Sequence, residues 1–429
     1  MQSLWCFLLA LFAGATHAEI ASFRLHSPWS FECDTTNSSF RTSGHMIPAR
    51  CVKVPSSSSE KVQGLQACKM TCGSKGTLWP APTGRVQLSS DLVHFIPQDF
   101  RVVSVSAPSE DVSNMINQFA DVFREYLYMM NPDYEGDYKN PFSETPFING
   151  KTVQVSISVD SEDLTLDTET DESYSISIQR MSANELSRNT QTDRCEGPKG
   201  SKKSGSRGNP EEVPGIHITV SAKTYYGARH GMETLSQMIT YDDLSDTLQT
   251  YSTAFVEDEP SFKHRGLLLD TSRNFMSKKV IKKIIRGMSY DKLNVFHWHI
   301  TDTHSFPFYS RRVPQLSLHG SYSPKKVYHP KDIREIVEFA KLRGVRVLPE
   351  FDAPAHVGNG WQFGEKEGKG KLAVCVNKEP WQEFCVEPPC GQLNPVNPHV
   401  YTTLGKLYQD FFELFLKQIC SIWAGMKLI

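Results

Sequence analysis

The spacing of apolar residues changes along this chain, and the changes mark its organisation. Over residues 112–128, Val112, Met115, Ile116, Phe119, Val122 and Phe123 recur every three or four positions, which is one face of a helix. Alternation then takes over. Val153, Val155, Ile157 and Val159 make one strand face, Tyr174, Ile176 and Ile178 a second, and Ile216, Ile218 and Val220 a third. A helix follows from Tyr225 to Ile239. Residues 81–258 are therefore expected to form a small α+β domain, with no catalytic constellation of its own.

After Pro260 the alternation stops. Gly266–Asp270, Leu293–Ile300 and Val345–Phe351 are short continuous apolar runs, as expected of strands buried on both faces. Helical patterns separate them. Ser277 caps a run with Val280, Ile281, Ile284, Ile285 and Met288 inward. Pro330 opens another, with Ile333, Ile336, Val337 and Ala340 inward and Gly344 as its C-cap. A third helix starts at Asn397-Pro398 and carries Val400, Leu404, Leu407, Phe411 and Phe415. Strand, helix, strand, helix predicts a parallel α/β sheet over residues 259–415. Chemistry in such sheets gathers at the C-terminal ends of the strands.

Other segments lack these periods. Leu4–Ala13 is apolar, and small residues continue to Ala18. This reads as a secretory signal peptide over 1–18, with an uncleaved anchor as the alternative. No other run is long enough to span a bilayer, so the mature chain is expected to be soluble. Residues 19–80 read as a loop-rich, Cys-rich lead. Residues 196–210 are Gly/Ser-rich and basic, a solvated loop. Residues 416–429 form an atypical tail.

Composition changes this picture little. The 429 residues are 39% hydrophobic and 22% charged, with net charge −2, an ordinary globular mixture without the basic field of a nucleic-acid binder. Cysteine says more. Beyond Cys6 there are nine, at 33, 51, 68, 72, 195, 375, 385, 390 and 420. A secreted setting favours disulfides. Cys33, Cys51, Cys68 and Cys72 are expected to pair among themselves; Cys375, Cys385 and Cys390 form a second group, and connectivity stays open. Cys68-x-x-x-Cys72 lacks a partner cluster for zinc. Asn37-Ser38-Ser39 is a glycosylation sequon.

The strand ends carry the candidate chemistry. The first strand is entered by His264-Arg265 and leaves through Asp270-Thr-Ser-Arg273. The second leaves through His297-Trp-His299-Ile-Thr-Asp302, and the third through Pro349-Glu-Phe-Asp-Ala-Pro-Ala-His356. Taken singly, Arg265 could be a surface ion pair, His297 or His299 a satisfied core histidine, and Asp302 or His356 a loop cap. Three loaded ends together argue for a site. Zinc bound by His297, His299, Asp302 and His356 is the competing reading, and their spread over separate strands counts against it. No metal or cofactor is expected.

His264-Arg-Gly-Leu-Leu-Leu-Asp-Thr-Ser-Arg273, Asn294-Val-Phe-His-Trp-His-Ile-Thr-Asp302 and Pro349-Glu-Phe-Asp-Ala-Pro-Ala-His356 resemble the family 20 β-N-acetylhexosaminidases over residues 80–415. Ala228-Arg-His-Gly-Met-Glu-Thr-Leu235 is similar to the end of that family's non-catalytic domain. Cys385-Val-Glu-Pro-Pro-Cys390 is similar to the arthropod secreted, chitin-oligosaccharide-degrading branch. The resemblance implies a (β/α)8 TIM barrel after the α+β domain. It implies release of terminal β-linked N-acetylglucosamine or N-acetylgalactosamine by a retaining reaction in which the substrate's own acetamido oxygen is the nucleophile. It further implies that Arg265 binds sugar hydroxyls, that Asp302 and His356 orient the acid, and that Val386 and Glu387 line the next sugar subsite. Chitin oligosaccharides, a secreted or lysosomal location, and a homodimer of the full-length form follow from the same resemblance, with no nucleic-acid partner.

The family's adjacent Asp-Glu pair, the acetamido-orienting group and the acid, has no counterpart after the third helix. Asp171-Glu172 and Asp258-Glu259 both precede the barrel motifs. A barrel of roughly 250 residues beginning near 260 would end past about 500. The expectation is a C-terminally truncated family member with about three of eight barrel strands, inactive as written. The alternative is a non-catalytic truncated isoform with a sugar-binding or regulatory role.

Overall fold

The computed structural model describes residues 27–34, 49–58, 62–130, 152–181 and 215–415. The leader, the Asn37 sequon, Cys195, the 196–210 loop, Cys420 and the 416–429 tail lie outside the described residues.

The lead is more ordered than its composition suggests. Strand β1 (Trp29–Asp34) pairs antiparallel with β2 (Arg50–Pro55), with Cys33 opposite Cys51. Helix α1 (Leu65–Thr71) is tied to this ribbon by Cys33–Cys72 and Cys51–Cys68. The four cysteines pair among themselves, and the Cys68-x-x-x-Cys72 spacing serves two disulfides. Strands this short leave too few alternating positions to be read from sequence.

The α+β domain contains β3 (Val86–Leu88), β4 (Leu92–Phe95), β5 (Phe100–Ser106), α2 (Glu110–Met129), β6 (Val153–Val159), β7 (Tyr174–Arg180), β8 (Ile216–Ala222), α3 (Tyr225–Gln237), β9 (Ile239–Asp242), β10 (Thr247–Tyr251) and β11 (Ala254–Asp258). Six strands form a mixed sheet in the order β3-β11-β7-β8-β6-β5, and β4-β10-β9 form a smaller one. Ser109 caps α2 by accepting from the Val112 amide, and Thr224 caps α3 through the Gly227 amide. The alternating residues meet those helices: Val153, Val155, Ile157, Ile176, Ile218 and Val220 are buried with Val112, Ile116, Phe119 and Phe123. Burying each such side chain contributes roughly 1.5–3 kcal/mol.

The second unit is a parallel three-stranded sheet, β12 (Gly266–Asp270), β13 (Val295–Thr301) and β14 (Arg346–Phe351), linked through α4 (Lys278–Tyr290) and α5 (Pro330–Lys341) and followed by α6 (Pro398–Phe415). Ser277 accepts from the Val280 amide, and Gly344 adopts φ +70° after α5, as caps require. Asn397 accepts from the His399 amide at the start of α6. Phe296, Trp298 and Ile300 of β13 point into the helix layer, with Ile281, Ile285, Ile333 and Ile336. The expectation of double burial fails for β12, where Leu267 and Leu268 are 41% and 53% exposed. Among the described residues β12 has one neighbouring strand, so its free edge leaves them uncovered. Val280 is likewise exposed, so the inward face of α4 is Ile281, Ile285 and Met288.

The two units meet through polar groups. Tyr225 donates to the Leu342 carbonyl, and Arg229 to both Glu233 and the Ser289 carbonyl. Lys292 reaches Asp258 at 3.1 Å and the Tyr174 hydroxyl at 2.7 Å.

Candidate active site

The site is built where β12, β13 and β14 end. At the end of β12, Asp270 Oδ1 accepts from the amides of Ser272 (2.9 Å) and Arg273 (3.0 Å), which folds the chain into a tight turn. Its Oδ2 accepts from Arg273 Nη1 at 2.6 Å, so the turn also aims the guanidinium. The loops after β12 and β13 are locked together by Ser272 Oγ on the Ser305 carbonyl and Ser305 Oγ on the Ser272 carbonyl, both at 2.7 Å.

Asp302 is the hub. Its carboxylate is 1% exposed, and one oxygen, Oδ2, receives Arg273 Nη2 at 2.8 Å, His299 Nε2 at 3.1 Å and His356 Nδ1 at 3.1 Å. The other oxygen accepts from the Thr303 amide. The ladder between β13 and β14 slips between His299 and Thr301. Irregularities of this kind re-aim side chains beside active sites. His356 arrives from the loop after β14 with φ +59°, a left-handed conformation costing about 1–3 kcal/mol in a non-glycine residue. Such strain persists where surrounding contacts fix the residue, and here Asp302 and Arg273 do so.

Burial opposes the charge on Asp302, yet the bond to His299 and the charge of Arg273 hold its carboxyl below the usual range. For His299, too, burial works against the charged form, but the bond to Asp302 and the ion pair with Glu350 prevail and push it up to about 10. Glu350 is held low by His299. Asp352, 3.7 Å from His356 Nδ1, is raised by burial. Asp302 and His299 are thus the buried charged centre of the cluster, while Arg273, His356 and Glu350 are about a third exposed around it. At the rim, Glu387 lies 3.7 Å from Arg273. Val386 is 95% exposed on the loop closed by Cys385–Cys390, and Cys375 has no disulfide partner among the described residues.

The structure brings Asp302, His356 and Glu387 together, with Val386 beside them in the chain. It does not bring Arg265. That residue precedes β12, at the opposite end of the strand from the cluster. Its Nη1 and Nη2 donate to Glu172 at 3.0 and 2.7 Å, Nη1 also to the Phe262 carbonyl, and Nε to the Lys292 carbonyl. The expectation that Arg265 binds sugar does not fit this placement: four of its five N–H groups are engaged, two by Glu172 of the first unit and two by carbonyls of its own unit. Glu172 also takes His230 Nε2 at 2.9 Å and Asn294 Nδ2 at 3.2 Å. Glu172 and Asp258, from the two other Asp-Glu pairs, both belong to this interface. The guanidinium at the strand end is Arg273. Its signal was the Asp270-x-x-Arg273 spacing directly after the first strand. Asp270, His299 and Glu350 are the other charged groups of the cluster.

Ligand atoms of His299, Asp302 and Asp352 lie within 4.8 Å of one another, a metal-like grouping. The Arg273 guanidinium and a protonated His299 already supply positive charge to Asp302. A cation would have to displace both, so the donor set does not favour one.

Residues 262–423 match the model of the glycosyl hydrolase family 20 catalytic domain, and residues 78–192 match the model described as beta-acetyl hexosaminidase like. The chain is 36% identical over 428 residues to the probable beta-hexosaminidase fdl of Drosophila melanogaster, covering 93% of this chain and 58% of that protein. It is 37% identical to the chitooligosaccharidolytic beta-N-acetylglucosaminidase of Ostrinia furnacalis, covering 90% and 56%. The chain therefore spans just over half the length of these relatives. Among solved structures, Flavobacterium johnsoniae chitobiase superposes with TM-score 0.53 at 24% identity, covering 79% of this chain and 43% of that one. The exo beta-N-acetylglucosaminidase of Vibrio harveyi superposes with TM-score 0.51 at 19% identity, covering 88% and 51%. With both family models matched in order, and with relatives at 36–37% identity along nine-tenths of its length, the chain belongs to glycosyl hydrolase family 20, a family of glycosidases.

Proposed function

We propose that this chain carries part of the active site of an exo-β-N-acetylhexosaminidase acting on the non-reducing ends of chitin oligosaccharides. The three βα units are read as the first part of a (β/α)8 barrel over 259–415, preceded by the Cys-rich lead at 19–80 and the non-catalytic domain at 81–258. The observation that carries the reading is the convergence of Arg273, Asp302 and His356 at the ends of successive parallel strands. A neutral sugar needs directional donors rather than a net field. Arg273 offers a planar fork at the mouth, in a side chain 31% exposed. Asp302 fixes the His356 ring through Nδ1, leaving Nε2 to meet a carboxyl acid that protonates the leaving oxygen. Val386 and Glu387, exposed on the rim beside Arg273, are read as lining the next sugar subsite of an oligosaccharide. A secreted or lysosomal setting fits the disulfides, and a dimer of the full-length enzyme is the assembly we propose.

Among the described residues no adjacent Asp-Glu pair stands at an end of β12, β13 or β14. A polypeptide of these 429 residues alone is therefore expected to bind sugar without turnover. The test is saturation-transfer NMR with N-acetylglucosamine and chitobiose, run beside hydrolysis of a chromogenic N-acetylglucosaminide. Binding weakened by Arg273→Ala, with no release of chromophore, supports the reading. No binding of either sugar overturns the site. Release that His356→Ala abolishes overturns the expected inactivity.

A further inference from the structure

The floor of the cluster holds one more residue whose role goes beyond the orienting pair. His299 occupies the middle strand of the sheet, and register places Asp270 of β12 directly beside it on one side and Glu350 of β14 on the other. Side chains paired across neighbouring strands point to the same face. A transverse row Asp270–His299–Glu350 therefore crosses the strand ends, with one imidazole between two carboxylates. Both ring nitrogens are engaged by acid. Nε2 bonds Asp302 Oδ2 at 3.1 Å, and Nδ1 lies 3.1 Å from Glu350 Oε2 in an ion-pair contact. A second imidazole, His297, two residues back on the same face, reaches the same Glu350 oxygen at 2.7 Å.

Ionised carboxylate oxygens only accept. A neutral imidazole has one N–H, so it would set a lone pair against one of these acids. Only the imidazolium serves both nitrogens. The groups facing His299 are Asp270 from β12, Asp302 from its own strand end and Glu350 from β14, with Arg273, Asp352 and His356 grouped around Asp302. His299 is 8% exposed and Asp302 1%, so water screens this charge poorly.

We propose that His299 is a positioning residue that works as a permanent imidazolium. It keeps Asp302 ionised, and so keeps one oxygen aimed at both His356 and Arg273. Without that cation, Asp302 would share the floor with Asp270, Glu350 and Asp352 and would take up a proton at higher pH. A protonated Asp302 would then accept less well from His356 and Arg273, and the sugar-facing groups would lose their common anchor. The sugar part of this inference rests on the proposed function; the charge state does not.

The experiment is histidine-labelled nitrogen NMR of the intact chain, with assignment by His299→Gln. The expected result is that His299 shows both nitrogens protonated through about pH 8, where an ordinary histidine has lost its proton near 6.5. A His299 that titrates near that ordinary value, or shows one bare nitrogen at neutral pH, overturns the proposal. In His299→Gln, which keeps a donor but removes the charge, the acid limb of N-acetylglucosamine binding should move up by about one pH unit, the size of effect expected from an opposite charge at contact. An unmoved limb in a folded variant also overturns it. If the chain binds no sugar, the sugar reading fails, while the NMR of the unmutated chain still decides the charge of His299.

Discussion

Replacing Arg265 by methionine separates a structural arginine from a sugar-binding one. Its side chain is 14% exposed and that of Glu172 5%. The substitution keeps most of the apolar stem and removes two hydrogen bonds to Glu172 and bonds to the Phe262 and Lys292 carbonyls. Glu172 would keep His230 and Asn294, but burial pushes His230 down to about 4, so it is neutral near pH 7 and supplies little charge. Removing one partner of a buried pair costs about 3–5 kcal/mol. Burial opposes the charge on Glu172, yet His230 and then Arg265 hold its pKa down from 4.5 to about 2, so the carboxylate left without Arg265 is ionised near pH 7. At about 2–4 °C per kcal/mol for a unit of this size, Arg265→Met should lower Tm by roughly 6–20 °C. Arg273→Met, in a side chain 31% exposed, should change Tm far less and weaken N-acetylglucosamine binding instead. Differential scanning calorimetry and sugar binding on both variants form the assay. An Arg265→Met protein that melts like the parent but no longer binds sugar would refute the reasoning and return Arg265 to the pocket.

The same interface sets an acid limit. His230 is depressed in the folded chain, so its contribution is complete above about 6.5 and is lost as pH falls towards about 4. Glu172 is depressed as well, and its contribution is lost between about 4.5 and about 2. Denaturant melts should show stability falling in two stages on acidification, and Glu172→Gln should remove the lower one. His299 has the opposite sign: its contribution is full below about 6.5 and erodes as pH rises through about 10. His299→Gln should therefore flatten the alkaline side of the profile. Cys51→Ser opens the bridge to Cys68, 17 residues on, and should cost about 2–4 kcal/mol in a denaturant titration. Val386→Asp, at a position 95% exposed, should leave Tm unchanged while weakening chitotriose several-fold and N-acetylglucosamine little.

What the sequence showed and what it hid follow from how local each signal is. Alternation at 153–159, 174–178 and 216–220 and the inward stripe of α6 were legible because one face of each element is buried in a single core, so the period is written in consecutive residues. The ribbon at 29–55 was not legible, because its short strands are fastened by cysteines whose pairing depends on partners far along the chain. The site shows the same division. Asp302 and His356 could be placed because each follows a continuous buried strand, and a parallel sheet brings such ends together. The two arginines flanking β12 were harder. They lie eight positions apart around one strand, and sequence does not state which end faces a ligand. Topology states it. In a parallel sheet, ligands gather where strands exit. Arg265 at the entry is surrounded by a buried glutamate of the neighbouring unit and by carbonyls of its own, whereas Arg273 at the exit is grouped with Asp270, Asp302 and His356. The acids around His299 were invisible for a related reason: Asp270 and Glu350 become its neighbours only through strand register. A charged residue ending a buried parallel strand is therefore best read with the residues ending the adjacent strands, since that row, rather than the local motif, fixes its charge and its task.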